Sequence, residues 1–151
     1  FSPNSSLLEP IRLRGLSGVD IRQDGDVIRV AMPADQIFYT ASSQLQPTGE
    51  RLAGSVATQL MEAYPGHLIG IEGHTDGAPI ASPQHKTAHH LSVAQATAIY
   101  DALRRTGVPA AQMHVIGHGS NHPIVSNATE AGRQKNRRLE MVVYPETLRR
   151  R

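Results

Sequence analysis

The chain has 151 residues, of which 39% are hydrophobic and 19% charged, which suits one folded domain and argues against global disorder. It has no Trp and two Phe, and the arginines at 149–151 supply more than its formal net charge of +2, so we expect no nucleic-acid partner. The absence of cysteine excludes disulfides, thiolate metal sites and cysteine nucleophiles.

The ends of the sequence differ in character from its middle. Residues 1–17 mix Pro, Ser, Leu and Arg and are typical of a linker or leader, and residues 147–151 form a basic tail. We expect the folded domain over 18–146. Because the sequence begins at Phe1 and has no apolar run of the ~20 residues that span a bilayer, we expect a processed or excised product whose membrane anchor lies outside it.

The first half of the domain contains a hairpin, a helix and a strand. The Asp-Gly at 24–25 separates two alternating apolar segments and predicts a β-hairpin. Residues 37–39 are expected to form a short strand. Pro47 then opens a helix of about four turns with one apolar stripe, which stops at 65–66, and the apolar residues 68–73 predict a buried strand.

The second half continues the alternation. The polar stretch 74–90 predicts a loop, after which Ser92 is expected to cap a helix over 93–106. A third buried strand is predicted over 113–117. Beyond a turn-rich segment, the alternation over 138–143 predicts a half-buried final strand.

This order of elements predicts the fold class. Strand–helix alternation that ends in a short-range strand implies an α/β (α+β) two-layer sandwich. We expect a mixed four-stranded sheet with helices on one face, plus an N-terminal β-hairpin extension.

Two polar groups are candidates for binding. Asp76 and Thr75 directly follow the buried strand, where ligand groups of α/β sheets commonly lie, although both residues would equally suit a simple turn cap. Arg137 and Arg138 open the final strand and should point to opposite faces, so that one can reach the Asp76 loop. A solvated arginine pair beside a structural Asn turn is the alternative.

Metal binding and catalysis are weaker interpretations. Histidines lie four residues apart at 85 and 89 and again at 118 and 122, but these segments are predicted as loop rather than as one helix face, so we expect no metal and no cofactor. No Gly-x-Ser-x-Gly elbow occurs. Glu72 and Asp76 would lie ~13 Å apart on an extended strand, too far for a retaining glycosidase. We therefore expect no enzyme.

An ordered series of short motifs over residues 27–144 resembles the OmpA-like peptidoglycan-associating domain, found in outer-membrane protein A, in the peptidoglycan-associated lipoprotein and in MotB-type stator proteins. The motifs are Phe38 with Leu45, Gly73-His74-Thr75-Asp76, Leu91-Ser92, Gly107-Val108-Pro109, Gly117-His118-Gly119, Pro123, Asn127-Ala128-Thr129, Gly132-Arg133 and Asn136-Arg137-Arg138. The resemblance implies non-covalent binding of cell-wall peptidoglycan. The family recognises the stem peptide through the ammonium and the carboxylate of meso-diaminopimelate.

The resemblance also assigns roles to single residues. Asp76 occupies the family's acidic position and would receive the ammonium. Gln95 stands where the family has an Arg for the carboxylate, and Ala88 and Ala41 stand where it has Asn. A neutral donor contributes ~0.5–1.5 kcal/mol against ~1.5–3 for a charged one, which predicts a weakened or altered wall site.

These observations together predict a periplasmic protein that anchors an envelope or membrane complex to the wall, tethered to the inner or outer membrane by a segment outside this sequence. The cleft would lie between the Asp76 loop, residues 40–42, the second helix and the final strand. The predicted ligand-binding residues are Asp76, Thr75, Gln95, Arg138, Thr40, Ala41 and Asn127. The alternative is a structural module of a stator-type membrane protein that dimerises, with the wall site secondary.

Overall fold

The computed structural model describes residues 11–80, 82 and 84–148. Residues 1–10 of the predicted leader and 149–151 of the predicted tail lie outside the described residues. The elements in chain order are β1 (Asp20–Asp24), β2 (Val27–Pro33), α1 (Ala34–Ile37), α2 (Pro47–Ala63), β3 (His67–His74), α3 (Ala88–Arg105), a 3₁₀ turn (Ala110–Gln112), β4 (Met113–Gly117), α4 (Glu130–Asn136) and β5 (Arg138–Thr147).

The strands form one mixed sheet in the order β1-β2-β5-β3-β4. Strands β3 and β4 are parallel and the other neighbouring pairs are antiparallel. The predicted mixed sheet and two-layer fold class are confirmed. Because β2 pairs with β5, the N-terminal hairpin continues the sheet, which has five strands rather than four and an extension.

Helices α2 and α3 cover one face of the sheet, as predicted. Buried residues recur along α2 at Ala53, Val56, Ala57 and Leu60, the spacing of one helical face. The inward side of α3 and the alternate residues of β2, β3 and β5 complete this core. The residues are Ala96, Ile99, Leu103, Ile28, Val30, Met32, Ile69, Ile71, Leu139, Met141 and Val143.

The start of α3 differs from the prediction. Thr87 is the N-cap, and its hydroxyl accepts a hydrogen bond from the backbone N–H of His90 at 3.1 Å. The helix therefore begins at Ala88, and the predicted cap at Ser92 is wrong. Ser92 lies buried inside the helix, where its hydroxyl donates to the carbonyl of His89 and accepts from the N–H of Gly119. The first turn is polar, so it lacked the apolar spacing that marks a helix.

Three strand predictions also change. Residues 37–39 do not form a strand, because Ala34, Ile37 and Phe38 have helical spacing and α1 buries the first two. Strand β4 is an edge strand with an exposed middle rather than a buried strand. Residues 138–143 of β5 are buried on both faces, because polar side chains and the turn after β4 cover the face opposite the helices.

Part of the predicted leader packs on the domain. Leu13 and Leu16 lie against the core, and the backbone of Arg14 makes two hydrogen bonds with the Gln59 side chain on α2, of 2.9 and 3.0 Å. The segment that precedes β1 is thus held on the domain over these residues. No helix in the described part of the chain has the length and apolarity to cross a bilayer.

Two glycines let the start of α3 lie directly on the sheet. A Cβ on Gly73 of β3 would overlap the carbonyl of Ser92, and one on Gly117 of β4 would overlap Val93. Close contact at these two points brings the first turns of α3 beside the carboxyl end of β3. This end of the sheet is where Asp76 emerges.

Candidate functional site

A cleft of about 520 Å³ opens at the carboxyl end of β3. Its walls are the loop after β3, the segment after α1, the start of α3 and the region where α4 meets β5. Five of the seven predicted binding residues line it, namely Thr40, Ala41, Thr75, Asp76 and Gln95, and two do not, namely Asn127 and Arg138. The cleft thus opens between the segments named in the sequence analysis, with Arg137 in place of Arg138, and its role as a binding site stays a prediction.

Asp76 lies on the floor of the cleft with 7% of its surface exposed. One carboxylate oxygen accepts the backbone N–H of Ala78 at 2.8 Å, which is an Asx-type turn. The other accepts from Nη1 of Arg137 at 2.7 Å. Thr75 donates its hydroxyl to the carbonyl of Asp76. The turn-cap interpretation and the cleft-lining interpretation of Asp76 both hold, and the carboxylate has a cationic partner inside the protein.

Arg137 joins three carboxylates at the mouth of the cleft. Besides Asp76, it donates to both oxygens of Asp35, at 3.0 and 2.9 Å, and to Glu130 at 2.7 Å. The hydrogen bonds that it donates to Asp35, and then those to Glu130 and Asp76, raise the pKa of the Arg137 guanidinium. Four of its five N–H donors are used. The charged residues lining the cleft are thus one guanidinium and an excess of carboxylates.

The choice of Arg138 for the cleft is wrong. Arg138 is the first residue of β5, and its side chain points to the face opposite the helices, where it donates to Glu140 at 2.7 Å and to the carbonyl of His122 at 2.9 Å. Strand alternation places 138 and 140 on that face. Arg137 is the C-cap of α4, just before the strand, and its side chain lines the cleft.

The wall opposite Asp76 is built from α3 and the segment after α1. Gln95 is buried on α3 and donates from Nε2 to the carbonyl of Ser42 at 3.0 Å. Its amide has a second N–H and a carbonyl oxygen. Ala41 has φ of 52°, the left-handed region that alanine adopts at a cost. This wall carries the neutral amide of Gln95, whereas the opposite side of the cleft carries the carboxylates of Asp35, Asp76 and Glu130.

Asn127 has a structural place rather than a position in the cleft. Its side-chain oxygen accepts from Asn136 at 2.6 Å, and its amide nitrogen lies against Gly77 behind the Asp76 loop. The fully buried Asn136 also bonds the backbone of Ile124 and Val125. The pair therefore holds the turn before α4 against the loop that carries Asp76.

The opposite face of the sheet carries a second polar cluster, which we call the open-face cluster: Glu72, His74, His118 and Glu140. Nε2 of His118 lies 2.5 Å from Oε1 of Glu72, and the His118 ring stacks on His74 with centroids 4.7 Å apart. Burial, and then the positive charge of Arg138, lower the pKa of His74 to about 2, so its imidazole is neutral. Within the described residues, Glu72, His74 and His118 are a group whose ligand atoms could hold a metal ion.

Sequence reasoning missed Arg137 and the open-face cluster for different reasons. The sequence does not show at which residue β5 starts, so it does not distinguish Arg137 from Arg138. The cluster was missed because His118 was considered only with His122. Gly73 pairs with Gly117 in the parallel β3–β4 ladder, so His74 and His118 follow at the same level. Glu72 and His74 are two residues apart on β3 and therefore lie on the same face of the sheet. That spacing, together with the β3–β4 register, could have predicted the cluster.

Comparisons with a family model and with known proteins agree on the family of this chain. The sequence model of the OmpA family matches residues 37–137. The chain is 34% identical over 134 residues to the probable lipoprotein YiaD of Escherichia coli, which covers 89% of this chain and 58% of that protein. It is 36% identical over 109 residues to the peptidoglycan-binding protein ArfA of Mycobacterium bovis, covering 70% of this chain and 31% of that one.

A solved structure with the same fold is the cell wall anchor of the T6SS from Pseudomonas aeruginosa. It superimposes with a TM-score of 0.77 at 28% identity and covers 85% of this chain and 89% of that chain. This chain spans little more than half of YiaD and about a third of ArfA.

Proposed function

Because the chain belongs to the OmpA family, we propose that it binds cell-wall peptidoglycan non-covalently and holds an envelope assembly to the wall. The observation that carries this proposal is the position of Asp76 in an open cleft whose charged side chains are three carboxylates around one guanidinium. The names of ArfA and of the T6SS anchor support it. We expect binding without catalysis, on the periplasmic side of a membrane, with the tether outside this sequence.

The cleft suits a ligand with an ammonium group. Arg137, together with Arg133 at Glu130, neutralises only part of the charge of Asp35, Asp76 and Glu130, so the floor and mouth keep a net negative charge that attracts a cation. Asp76 is fixed by Arg137 and Ala78, so it can receive an ammonium without first being ordered. We assign the ammonium of the stem peptide's diaminopimelate to the Asp76 end of the cleft.

The other end of the diamino acid would meet neutral donors. The free N–H of Gln95 and the hydroxyl of Thr40 line the cleft opposite Asp76, and Arg137 has one N–H left. These groups can pair with a carboxylate or with its amide. The proposed site therefore has a charged end for the ammonium and a neutral end for the second group.

The test is co-sedimentation with purified peptidoglycan sacculi. Asp76→Asn keeps the shape of the side chain and removes its charge, so we expect it to lose most of the binding. Asp101→Ala is the matched control, because Asp101 lies on the exposed side of α3, and it should bind as the unaltered chain does. Equal retention of Asp76→Asn and the unaltered chain would contradict the proposal, provided that thermal unfolding shows both to be folded.

The predicted homodimer of a stator-type module remains an alternative expectation. A chain that dimerises in solution and is not retained by sacculi would favour it over wall binding. Size-exclusion chromatography with light scattering, performed on the same preparations, distinguishes the two outcomes.

A further inference from the structure

The open-face cluster contains groups that nothing in the wall-binding proposal uses. His74 is only 3% exposed, and both of its ring nitrogens are buried without a hydrogen-bond partner. A buried polar group without a partner is energetically costly, so its presence calls for an explanation. One ring nitrogen of His74, one of His118 and one carboxylate oxygen of Glu72 all lie within 4.8 Å of one another.

We propose that Glu72, His74 and His118 form a binding site for a divalent transition-metal ion, with Zn²⁺ the best match. Two imidazoles and one carboxylate are a ligand set that zinc takes in proteins, leaving a fourth position for water or another ligand. The inference does not rest on peptidoglycan binding, although His74 also lines the wall-binding cleft.

The geometry needs only local adjustment. Ligand atoms around a tetrahedral zinc are ~3.3 Å apart, given bonds of about 2.0–2.1 Å. Closing from at most 4.8 Å requires side-chain shifts of roughly an ångström, and the hydrogen bond between His118 and Glu72 would be replaced by two bonds to the metal. The His118 side chain is 22% exposed, which gives an ion access from solvent.

The guanidiniums of Arg29 and Arg138 oppose a bound cation, and the carboxylates of Glu72 and Glu140 favour one. Arg29 donates to Glu72 at 3.2 Å, and it also binds Asp24 at 2.7 Å, which can hold the guanidinium while Glu72 turns to the metal. Glu140 lies 3.4 Å from His74 and balances part of the added charge. One of the two ring nitrogens of His74 would gain a partner when the ion binds.

A bound ion would act on the wall-binding cleft through the backbone. It would join the carboxyl ends of β3 and β4, where the N–H of His118 bonds the carbonyl of Gly73 and the N–H of Thr75 bonds the carbonyl of Gly119. The residue after Thr75 is Asp76. The ion would therefore stiffen the base of the Asp76 loop.

The test is calorimetric titration of Zn²⁺ into the chain with a weak competing chelator, so that scattered surface histidines do not contribute. We expect one saturable site, and we expect His118→Gln and Glu72→Gln each to lower its zinc affinity by about tenfold or more. His114→Gln is the matched control, since His114 is an exposed histidine of β4 outside the cluster, and it should bind as the unaltered chain does.

Two further readouts make the result decisive. Saturating zinc should raise the melting temperature of the unaltered chain and of His114→Gln, but not that of His118→Gln. Cobalt should give the intense visible absorption of a four-coordinate site in the unaltered chain. The proposal fails if no saturable site exists, if His118→Gln binds with unchanged affinity, or if His114→Gln loses as much affinity as His118→Gln.

Discussion

The guanidinium of Arg137 links Asp76, on the loop after β3, to Asp35 in α1, with N–O distances of 2.7 Å to the first and 2.9 and 3.0 Å to the second. The two carboxylates come from segments about forty residues apart and meet only through this side chain. A planar fork with five donors can satisfy such a geometry, whereas an ammonium cannot. The order of the cleft floor therefore depends on arginine at this position.

The first prediction concerns that fork. Arg137→Lys keeps the charge but cannot bond both oxygens of Asp35 together with Asp76, so we expect the free energy of unfolding to fall by about 1–2 kcal/mol. Sacculus binding should fall as well, because Asp76 loses its fixed orientation. Chemical denaturation and co-sedimentation measure the two effects.

The control for this change is Arg105→Lys, in which an exposed ion pair with Glu50 is altered. Exposed pairs contribute little, so both measurements should stay within error of the unaltered chain. If Arg137→Lys behaves like Arg105→Lys, the fork does not organise the cleft.

The second prediction concerns the neutral end of the cleft. Gln95→Arg places a guanidinium opposite Asp76, and a charge-assisted bond should tighten binding of a diaminopimelate-containing muropeptide by roughly tenfold, equivalent to about 1.4 kcal/mol. The unaltered chain should distinguish little between the free carboxylate and its amide, because the amide of Gln95 can pair with either.

The measurement for Gln95 is a pair of titrations, with muropeptides that carry the carboxylate or the amide. Gln95→Arg should gain affinity for the carboxylate form only. A gain that is equal for both forms would mean that the new charge acts at a distance, and no gain would place Gln95 outside the ligand contact. Gln134→Arg, on the exposed side of α4, controls for the added positive charge.

How far the site could be predicted depended on how local each signal was. Gln95 was located through the resemblance, which puts it where the family has an Arg, and its spacing of four residues from the inward-facing Ile99 agrees with its burial on α3. Arg137 could not be told from Arg138, because the answer depends on the residue at which β5 starts. Pairing of Arg138 with both Pro33 and His74 sets that start, and such pairing is a long-range property of the sheet.

The elements show the same division. The hairpin and α2 were predictable from turn chemistry and apolar spacing, which are properties of neighbouring residues. The burial of β4 was not, because an edge strand and a central strand have similar sequences and differ only in what lies beside them. Thr87 was overlooked as a cap because the first turn of α3 has a polar sequence.

The third prediction concerns backbone strain beside the cleft. Ala41 has φ of 52°, and asparagine tolerates this region better than alanine does. Ala41→Asn should therefore raise the free energy of unfolding by about 0.5–1 kcal/mol. Ala128→Asn is the control, since Ala128 is exposed and has no positive φ, and it should bring no gain. Equal effects of the two changes in chemical denaturation would contradict this account of Ala41.

The fourth prediction concerns the buried amide of Asn136. Asn136→Ala removes the four side-chain hydrogen bonds that this fully buried amide makes with Ile124, Val125 and Asn127, so we expect a loss of about 2–3 kcal/mol. Gln134→Ala, on the exposed side of the same helix, should change stability by less than about 0.5 kcal/mol. A loss of similar size in both variants would mean that helix propensity, rather than the turn before α4, is responsible.

The last prediction uses two glycines with opposite surroundings. A Cβ at Gly73 would overlap the carbonyl of Ser92, so Gly73→Ala must push α3 away from β3 and should cost about 1–3 kcal/mol. Gly54 lies within α2 with open space around it, so Gly54→Ala should stabilise the chain by roughly 0.5–1 kcal/mol through helix propensity. Because α3 also carries Gln95, Gly73→Ala should widen the cleft and reduce muropeptide binding, whereas Gly54→Ala should leave binding unchanged. Denaturation and titration of both variants check this, and a Gly73→Ala variant with full affinity would separate the position of α3 from the binding site.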